Sequence, residues 1–231
     1  MTLYDAIFIR RSVRKFNNSP LDAAAIKSIE KFIEDTPPLT GQSARFEIVS
    51  ADKVHGGASA PHYILAYCNE SDSAYANVGY VLQNADLYLQ SIGLGSVWLG
   101  MAKPNEPERD YCILLAFGKT DVPIRKAEEE FKRLPMSEIS DQDNSVAKAV
   151  QLAPSAVNSQ PWKLHFESGK VVIRYFGRGL MKLMLRKKLN KIDLGISARH
   201  VETALLHEGK TILSITPKTS GKTFEIEIAY K

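Results

Sequence analysis

Hydrophobic positions recur at two periods along the chain, and the switches between them divide it into two similar runs of elements. From Leu21 to Asp35, Ala25, Ile26, Ile29 and Ile33 keep helical spacing, and Thr36-Pro37-Pro38 closes the helix. Arg45 to Val49 alternates as a half-buried strand, whereas Tyr63 to Cys68 is apolar enough for a strand inside a sheet. Ser73 to Ser91 reads as a long helix. Its residues Val78, Val81, Leu82, Ala85, Leu87 and Leu89 hold a broad apolar face until Gly93 ends it. Strands from Ser96 to Met101 and from Tyr111 to Phe117 follow.

The order then repeats. Asn144 to Leu152 predicts a helix ended by Ala153-Pro154, Trp162 to Phe166 and Val171 to Tyr175 predict strands joined at Ser168-Gly169, and Lys191 to His207 predicts the long helix, stopped by Gly209. Strands from Thr211 to Ile215 and from Phe224 to Ala229 complete the second run. A period near half the chain length points to a duplicated unit. The pattern predicts an α+β fold of two lobes, residues 1–120 and 144–231, with 121–143 as the connection. The halves keep different polar features. Phe131-Lys132-Arg133-Leu134 and His207-Glu208-Gly209-Lys210 of the second half stand where the first has its arginine run and its glycine-rich segment. Thr36 to Ser43 of the first stands where the second has Ala153 to Trp162, so one complete site is expected.

Composition narrows the class without naming it. The 231 residues are 44% hydrophobic and 24% charged, the balance of a soluble globular protein with a sizeable core. A net charge of +4, from 30 basic and 26 acidic residues spread along the chain, does not imply nucleic acid. The start, Met1-Thr2-Leu3-Tyr4-Asp5, carries no apolar signal core, and no apolar run approaches a membrane span, so a cytoplasmic location is the default expectation. Cys68 and Cys112 sit in strand-like runs as buried thiols rather than as a disulfide framework, and the five histidines never fall at metal-ligand spacing.

Three stretches carry candidate chemistry. Arg10, Arg11 and Arg14, with Ser12, place three guanidinium groups within little more than a helical turn, a set suited to phosphate oxygens. A solvated basic face is the plainer reading of that heptapeptide taken alone. Gly93-Leu94-Gly95-Ser96-Val97-Trp98-Leu99-Gly100 runs from helix into strand, the wrong order for a dinucleotide fingerprint. Gly100 would let a flat ligand approach the backbone. Ala153-Pro154-Ser155-Ala156-Val157-Asn158-Ser159-Gln160-Pro161-Trp162 is a polar loop at a helix end and the most specific of the three. Elsewhere, the basic stretch Arg178 to Lys191, interleaved with Leu180, Met181, Leu183, Met184 and Leu185, suggests an amphipathic helix covering the second lobe or the site.

Together these residues resemble the nitroreductase family of FMN-dependent oxidoreductases. In that family two subunits normally share each FMN. The resemblance implies that Arg10 and Arg14 face the phosphate and ring edge, with Arg11 and Ser12 along the ribityl chain. Trp98, Leu99 and Gly100 would border the ring, the last two through backbone N–H groups. Pro154, Ser155 and Asn158 would cover the flavin from the other lobe, and Arg125 or Lys126 matches a second basic position at the phosphate. Typical members carry the APS-N-QPW phrase soon after the arginine run, whereas this chain holds it in the second repeat. It therefore resembles the fused type, an intramolecular pseudo-dimer able to work as a monomer. The family's polar residue before the second strand has no clear equivalent in His55-Gly56-Gly57-Ala58. What the resemblance implies is hydride transfer from NAD(P)H through the flavin to a nitroaromatic, quinone or similar acceptor, with no membrane or nucleic-acid partner and no catalytic side chain, the cofactor performing the chemistry. A flavin-storing or sensing protein without turnover is the alternative. A nucleic-acid surface built on the arginine run comes third.

Overall fold

The computed structural model describes residues 1–178, 182–220 and 223–231. Two four-stranded antiparallel sheets are built to one plan. In the first lobe α2 (Ala23–Glu34), β1 (Arg45–Ser50), β2 (Val54–His55), β3 (His62–Tyr67), α3 (Asp72–Ser91), β4 (Gly95–Leu99), β5 (Lys103–Pro104) and β6 (Tyr111–Gly118) follow a short α1 (Leu3–Ile9), and the main sheet runs β1-β3-β6-β4. In the second, α4 (Met136–Ile139) and α5 (Ser145–Gln151) lead into β7 (Trp162–Glu167) and β8 (Lys170–Tyr175). Then come α6 (Lys182–Leu185), α7 (Leu189–His207), β9 (Ile212–Ser220) and β10 (Thr223–Tyr230), with sheet order β7-β8-β10-β9. The four strands of each main sheet follow one order, and α2 and α3 correspond to α5 and α7, while β2, β5 and α6 have no counterpart among the described residues; the duplication read from hydrophobic periodicity is the architecture of the molecule.

Local chemistry sets the helix ends where the pattern placed them. Ser71 caps α3 by accepting from the Ala74 N–H at 3.1 Å, Asp22 caps α2 from Ala25 at 2.8 Å and Asn144 caps α5 from Ala147 at 2.9 Å. Gly93, at φ +83°, supplies the left-handed residue that ends α3. Helix α1 was not anticipated, because seven residues are too few for a period to show; Thr2 and Asp5 close it with a capping box. The strand expected to reach Met101 stops at Leu99, and the one expected to stop at Ile215 continues to Ser220. The connection is not bare linker. It carries α4, and its residues Phe131 and Ile139 are buried in the main core. The continuous helix suggested for Arg178 to Lys191 is not formed among the described residues: α6 ends at Leu185 and α7 begins at Leu189, while the stretch 179–181, with Leu180 and Met181, lies outside them.

The lobes join through α3 and α7, both buried along most of their lengths. A Cβ on Gly79 would stand 2.0 Å from the Ile192 carbonyl oxygen, and one on Gly195 would stand 1.8 Å from that of Ala76. Backbone therefore meets backbone, which only glycine permits. Each glycine rests on the carbonyl three residues before the other, the arrangement a local two-fold axis produces.

Candidate functional site between the lobes

Residues from both lobes line a cavity of about 320 Å³ beside this helix pair, within the range that holds cofactors. From the first lobe come Ser12, Arg14, Trp98, Gly100, Met101 and Ile113; from the second, Pro154 to Val157 and, on α7, Leu189, Ile192, Asp193 and Ile196. Six residues singled out in the sequence thus meet there: Ser12, Arg14, Trp98, Gly100, Pro154 and Ser155. A larger groove of about 410 Å³ beside β1 is lined by first-lobe residues alone, with Glu30, Glu34 and Glu47 on its walls, and suits no anionic ligand.

Six others stand outside the lining. The arginine run is not a helical turn, because α1 ends at Ile9 and Arg10 leaves it at φ −58°, ψ 143°. From Arg11 the chain lies along β4, with Ser12 bridged to Ser96 and the Val13 N–H donating to the Ser96 carbonyl at 2.9 Å. Gln90 holds this segment in register: its Oε1 accepts from Arg11 N at 2.8 Å and its Nε2 donates to Arg11 O at 3.0 Å. The extended backbone sends the three guanidinium groups apart instead of onto one face. Arg10, only 1% exposed, turns inward and donates through Nε to Asp86 at 2.9 Å. Arg11 pairs with Glu130, and only Arg14 remains exposed at the cavity. The side chain of Leu99 packs toward Gly57 on the outer face of the sheet. Lys126 is exposed and bonds through its backbone to Glu130.

Asp86 anchors a buried polar network. Besides Arg10 it accepts from Gln83 Nε2 at 3.0 Å and from the Ser96 hydroxyl, and Gln83 in turn accepts from the Trp98 indole at 3.3 Å. His200, from α7, completes the chain. Its Nδ1 faces the Ala149 carbonyl at 2.8 Å and its Nε2 faces Gln83, while burial pushes its pKa down to about 3. Gln83, Asp86 and Gln90 stand at i, i+3 and i+7 of α3, a polar stripe inside an apolar helix that could have been read from the sequence.

Outside the cavity lining four arginines gather next to segments that enter it, Arg11 preceding Ser12 and Arg133 bonded to Asn158, which follows Val157. Arg125 donates to the Arg10 carbonyl and lies over the Phe131 ring at 4.1 Å. Arg133 donates to the Leu152 carbonyl at 3.0 Å and to the Asn158 side chain, and its guanidinium stands 5.6 Å from the same ring. Burial, then Arg10 and Arg11, lowers the pKa of Arg125 to about 10; burial, then Arg10 and Arg125, lowers that of Arg133 to about 9. Arg10 Nη2 and the Nε atoms of Arg11, Arg125 and Arg133 are buried without a partner among the described residues. Such unsatisfied cationic N–H groups are costly unless an anion meets them. Arg133 was read from the sequence only as a counterpart of the arginine run; the structure brings it to the same cluster, so the second lobe's copy has not been lost. Asn158 lies outside the cavity lining and holds Arg133 and the Lys132 carbonyl, the latter at 3.0 Å.

The loop that supplies Asn158 is strained. Val157, Asn158 and Gln160 have φ of 48°, 57° and 46°, and a β-branched residue rarely enters that region. Val157 is also 67% exposed at the rim, with Met101 at 93% and Met184 at 74%, so the cavity opens to solvent between apolar side chains.

Two such lobes around one shared cavity form an intramolecular pseudo-dimer of the nitroreductase fold. The sequence matches the family model described as "Putative TM nitroreductase" over residues 2–205, and the chain belongs to this nitroreductase family. Its structure is similar to that of a putative nitroreductase from Thermotoga maritima MSB8, with a TM-score of 0.72 at 21% identity over 99% of this chain and 94% of that one. A nitroreductase family protein from Clostridium difficile 630 aligns along 100% of its own length but only 62% of this chain, at 17% identity and a TM-score of 0.50. A putative nitroreductase from Desulfovibrio desulfuricans, in complex with FMN, matches at 19% identity over 62% of this chain and 96% of that one, with a TM-score of 0.47. Among curated protein sequences none matches. Among the described residues no helix is long and apolar enough to cross a membrane.

Proposed function

We propose that the protein is an oxidoreductase that holds one FMN per chain between its lobes, the ring in the cavity and the phosphate against the arginine cluster. The observation that carries this reading is the set of four buried, unpartnered guanidinium nitrogens on Arg10, Arg11, Arg125 and Arg133. Both walls of the cavity lead to it. From the cluster the chain passes Arg11 to Ser12 and Arg14 on one side, and Asn158 to Val157 and Ser155 on the other. A doubly anionic phosphate would satisfy those donors and reverse the depression of the Arg125 and Arg133 pKa values.

When bound, FMN supplies two-electron transfer between a hydride donor and an acceptor. The protein's part is to bind, orient and shield. Trp98, tied to Gln83, and Ile192 and Ile196 of α7 present flat apolar walls, while Arg14 brings positive charge to the cavity. The open rim at Met101, Val157 and Met184 leaves room for a reduced nicotinamide, NADH or NADPH, and then for a nitroaromatic or quinone. That opening favours turnover over flavin storage. Burial of Arg10 and the pairing of Arg11 with Glu130 leave Arg14 alone of the three arginines exposed, which disfavours a nucleic-acid surface built on that run.

The test is titration of the flavin-free protein with FMN and with riboflavin, followed by anaerobic NADH or NADPH. We expect FMN to bind well ahead of riboflavin and Arg125→Ala to erase most of that preference, with the flavin bands bleaching on addition of the reduced nucleotide. Equal affinity for both flavins in the unaltered protein would remove the phosphate assignment. Bands that persist would leave a binding protein rather than an enzyme.

A further inference from the structure

The two lobes meet the same structural demand with different chemistry at one position. Two residues before each crossing glycine, α3 has Asn77 and α7 has Asp193. Asn77 Oδ1 accepts from the backbone N–H of Leu39 at 2.8 Å, and Asp193 Oδ1 accepts from that of Ala156 at 3.0 Å. Leu39 and Ala156 follow the matching phrases Thr36-Pro37-Pro38 and Ala153-Pro154-Ser155. Each side chain pins the loop that leaves its lobe's second helix. A neutral amide suffices for that task in the first lobe. The carboxyl stands in the lobe whose copy lines the cavity, where it donates a hydrogen bond only while protonated, a dependence on pH that an amide lacks.

We propose that Asp193 serves the cavity as a neutral carboxylic acid, donating a hydrogen bond to an acceptor oxygen or nitrogen of the flat ligand held there. The inference rests on the FMN reading above. Asp193 is 3% exposed, and among the described residues its second oxygen accepts only from Asn190 Nδ2, at 3.2 Å. The charged groups nearby are engaged elsewhere or exposed to solvent. On its own helix Lys191 pairs with Asp72 of α3 at 2.7 Å. Lys188 stands over the rings of Tyr75 on α3 and Tyr111 on β6. Arg14, from the N-terminal arm, lines the same cavity but is exposed, and Arg133 is held by Leu152 and Asn158. His200, further along α7, stays neutral. No cation lies within ion-pair distance among the described residues, and burial pushes the Asp193 pKa up to about 7. A protonated carboxyl can donate where an ionised one can only accept and would repel an electron-rich ring edge.

The test is FMN affinity, followed by quenching of flavin fluorescence at about pH 6 and about pH 8 in the full-length protein. With a free-state pKa about 7, loss of the donor should weaken wild-type binding about tenfold between those two values. Asp193→Asn keeps an acceptor for Ala156 and a donor for the ligand, so it should bind tightly at both, apart from the small trend from titration of FMN's own phosphate. Asp193→Leu should bind weakly at both. Wild type and Asp193→Asn sharing one pH profile would overturn the proposal while leaving the FMN site intact. No FMN binding by any of the three would instead remove the flavin reading, and this assignment with it. Infrared spectroscopy gives an independent reading: the carbonyl stretch of a protonated carboxyl should be present at neutral pH in wild type and absent from Asp193→Asn, and its absence from wild type would equally refute the assignment.

Discussion

Replacing Gly195 by alanine tests the joint on which the shared cavity depends. The new Cβ would lie 1.8 Å from the Ala76 carbonyl oxygen and within 2.8 Å of the Tyr80 backbone nitrogen, and neither is a flexible side-chain end. To restore ordinary contact, α7 and α3 must separate locally by about 1.5 Å. A gap of half that size already forfeits a quarter to a half of each dispersion contact, so the loss extends along the interface and is not confined to one atom pair. Overpacking of a tight core costs about 1–3 kcal/mol when side chains can yield, and here backbone must yield, so a loss of about 3 kcal/mol or more is expected. For a chain of this size that corresponds to a fall in Tm of at least about 6 °C. The assay is calorimetric or circular-dichroism melting, with Gly93→Ala alongside. Gly93 also has open space around its missing Cβ, so alanine there pays only for its positive φ, about 1 kcal/mol. Should Gly195→Ala melt within 2 °C or so of wild type, or no lower than Gly93→Ala, the close crossing of α3 and α7 is wrong.

Two further predictions concern the buried polar network. Asp86→Ala leaves Arg10 buried without its counter-charge, and a loss of about 3–5 kcal/mol in urea unfolding is expected; a change under about 1 kcal/mol would mean that water or another acid already serves Arg10. The second concerns pH. His200 has a folded pKa about 3 against 6.5 unfolded, so below pH 6.5 the unfolded chain takes up a proton the native state refuses, and stability falls as pH drops toward 3. Asp193 has the opposite sign: raised from 3.8 to about 7, it keeps a proton in the native state that the unfolded chain releases, so its contribution is lost as pH rises through that window. The two slopes oppose between about pH 4 and 6.5, and wild type should show little net dependence from this pair. Asp193→Asn should then gain stability with rising pH, by up to about 1.4 kcal/mol per unit, in urea midpoints taken at several pH values. Parallel profiles for the two proteins would refute it.

The fold was legible because its signals are long. Ser73 to Ser91 and Lys191 to His207 fall in helices of about five turns, each followed by a glycine of positive φ, and the strands between them alternate or run apolar, so element order survived even where boundaries slipped at Met101 and Ile215. The site was legible only in part. Ser12, Arg14, Trp98, Gly100, Pro154 and Ser155 meet in one cavity because each sits on or beside an element whose place the duplication dictates. Arg10 and Asn158 stand outside the cavity lining, for a reason no motif carries. Whether a guanidinium points outward or inward depends on Asp86, seventy-six residues away, and on the extended rather than helical path of Arg11 to Val13. Asp193 escaped notice because, inside an apolar helix, one carboxylate looks like a solvated residue until the partner helix covers it. Its contrast with Asn77 appears only once the two long helices are superposed at Gly79 and Gly195.

Joining both halves in one polypeptide changes what a single substitution does. In a symmetric pair of identical subunits every replacement appears twice, so a carboxyl suited to one ligand wall would also enter the other. Here position 77 holds an amide while position 193 holds a carboxyl, and the partner wall is supplied by tethered segments instead of by diffusion. Cleft assembly in such a chain is first order, and dilution to trace concentrations should leave it whole.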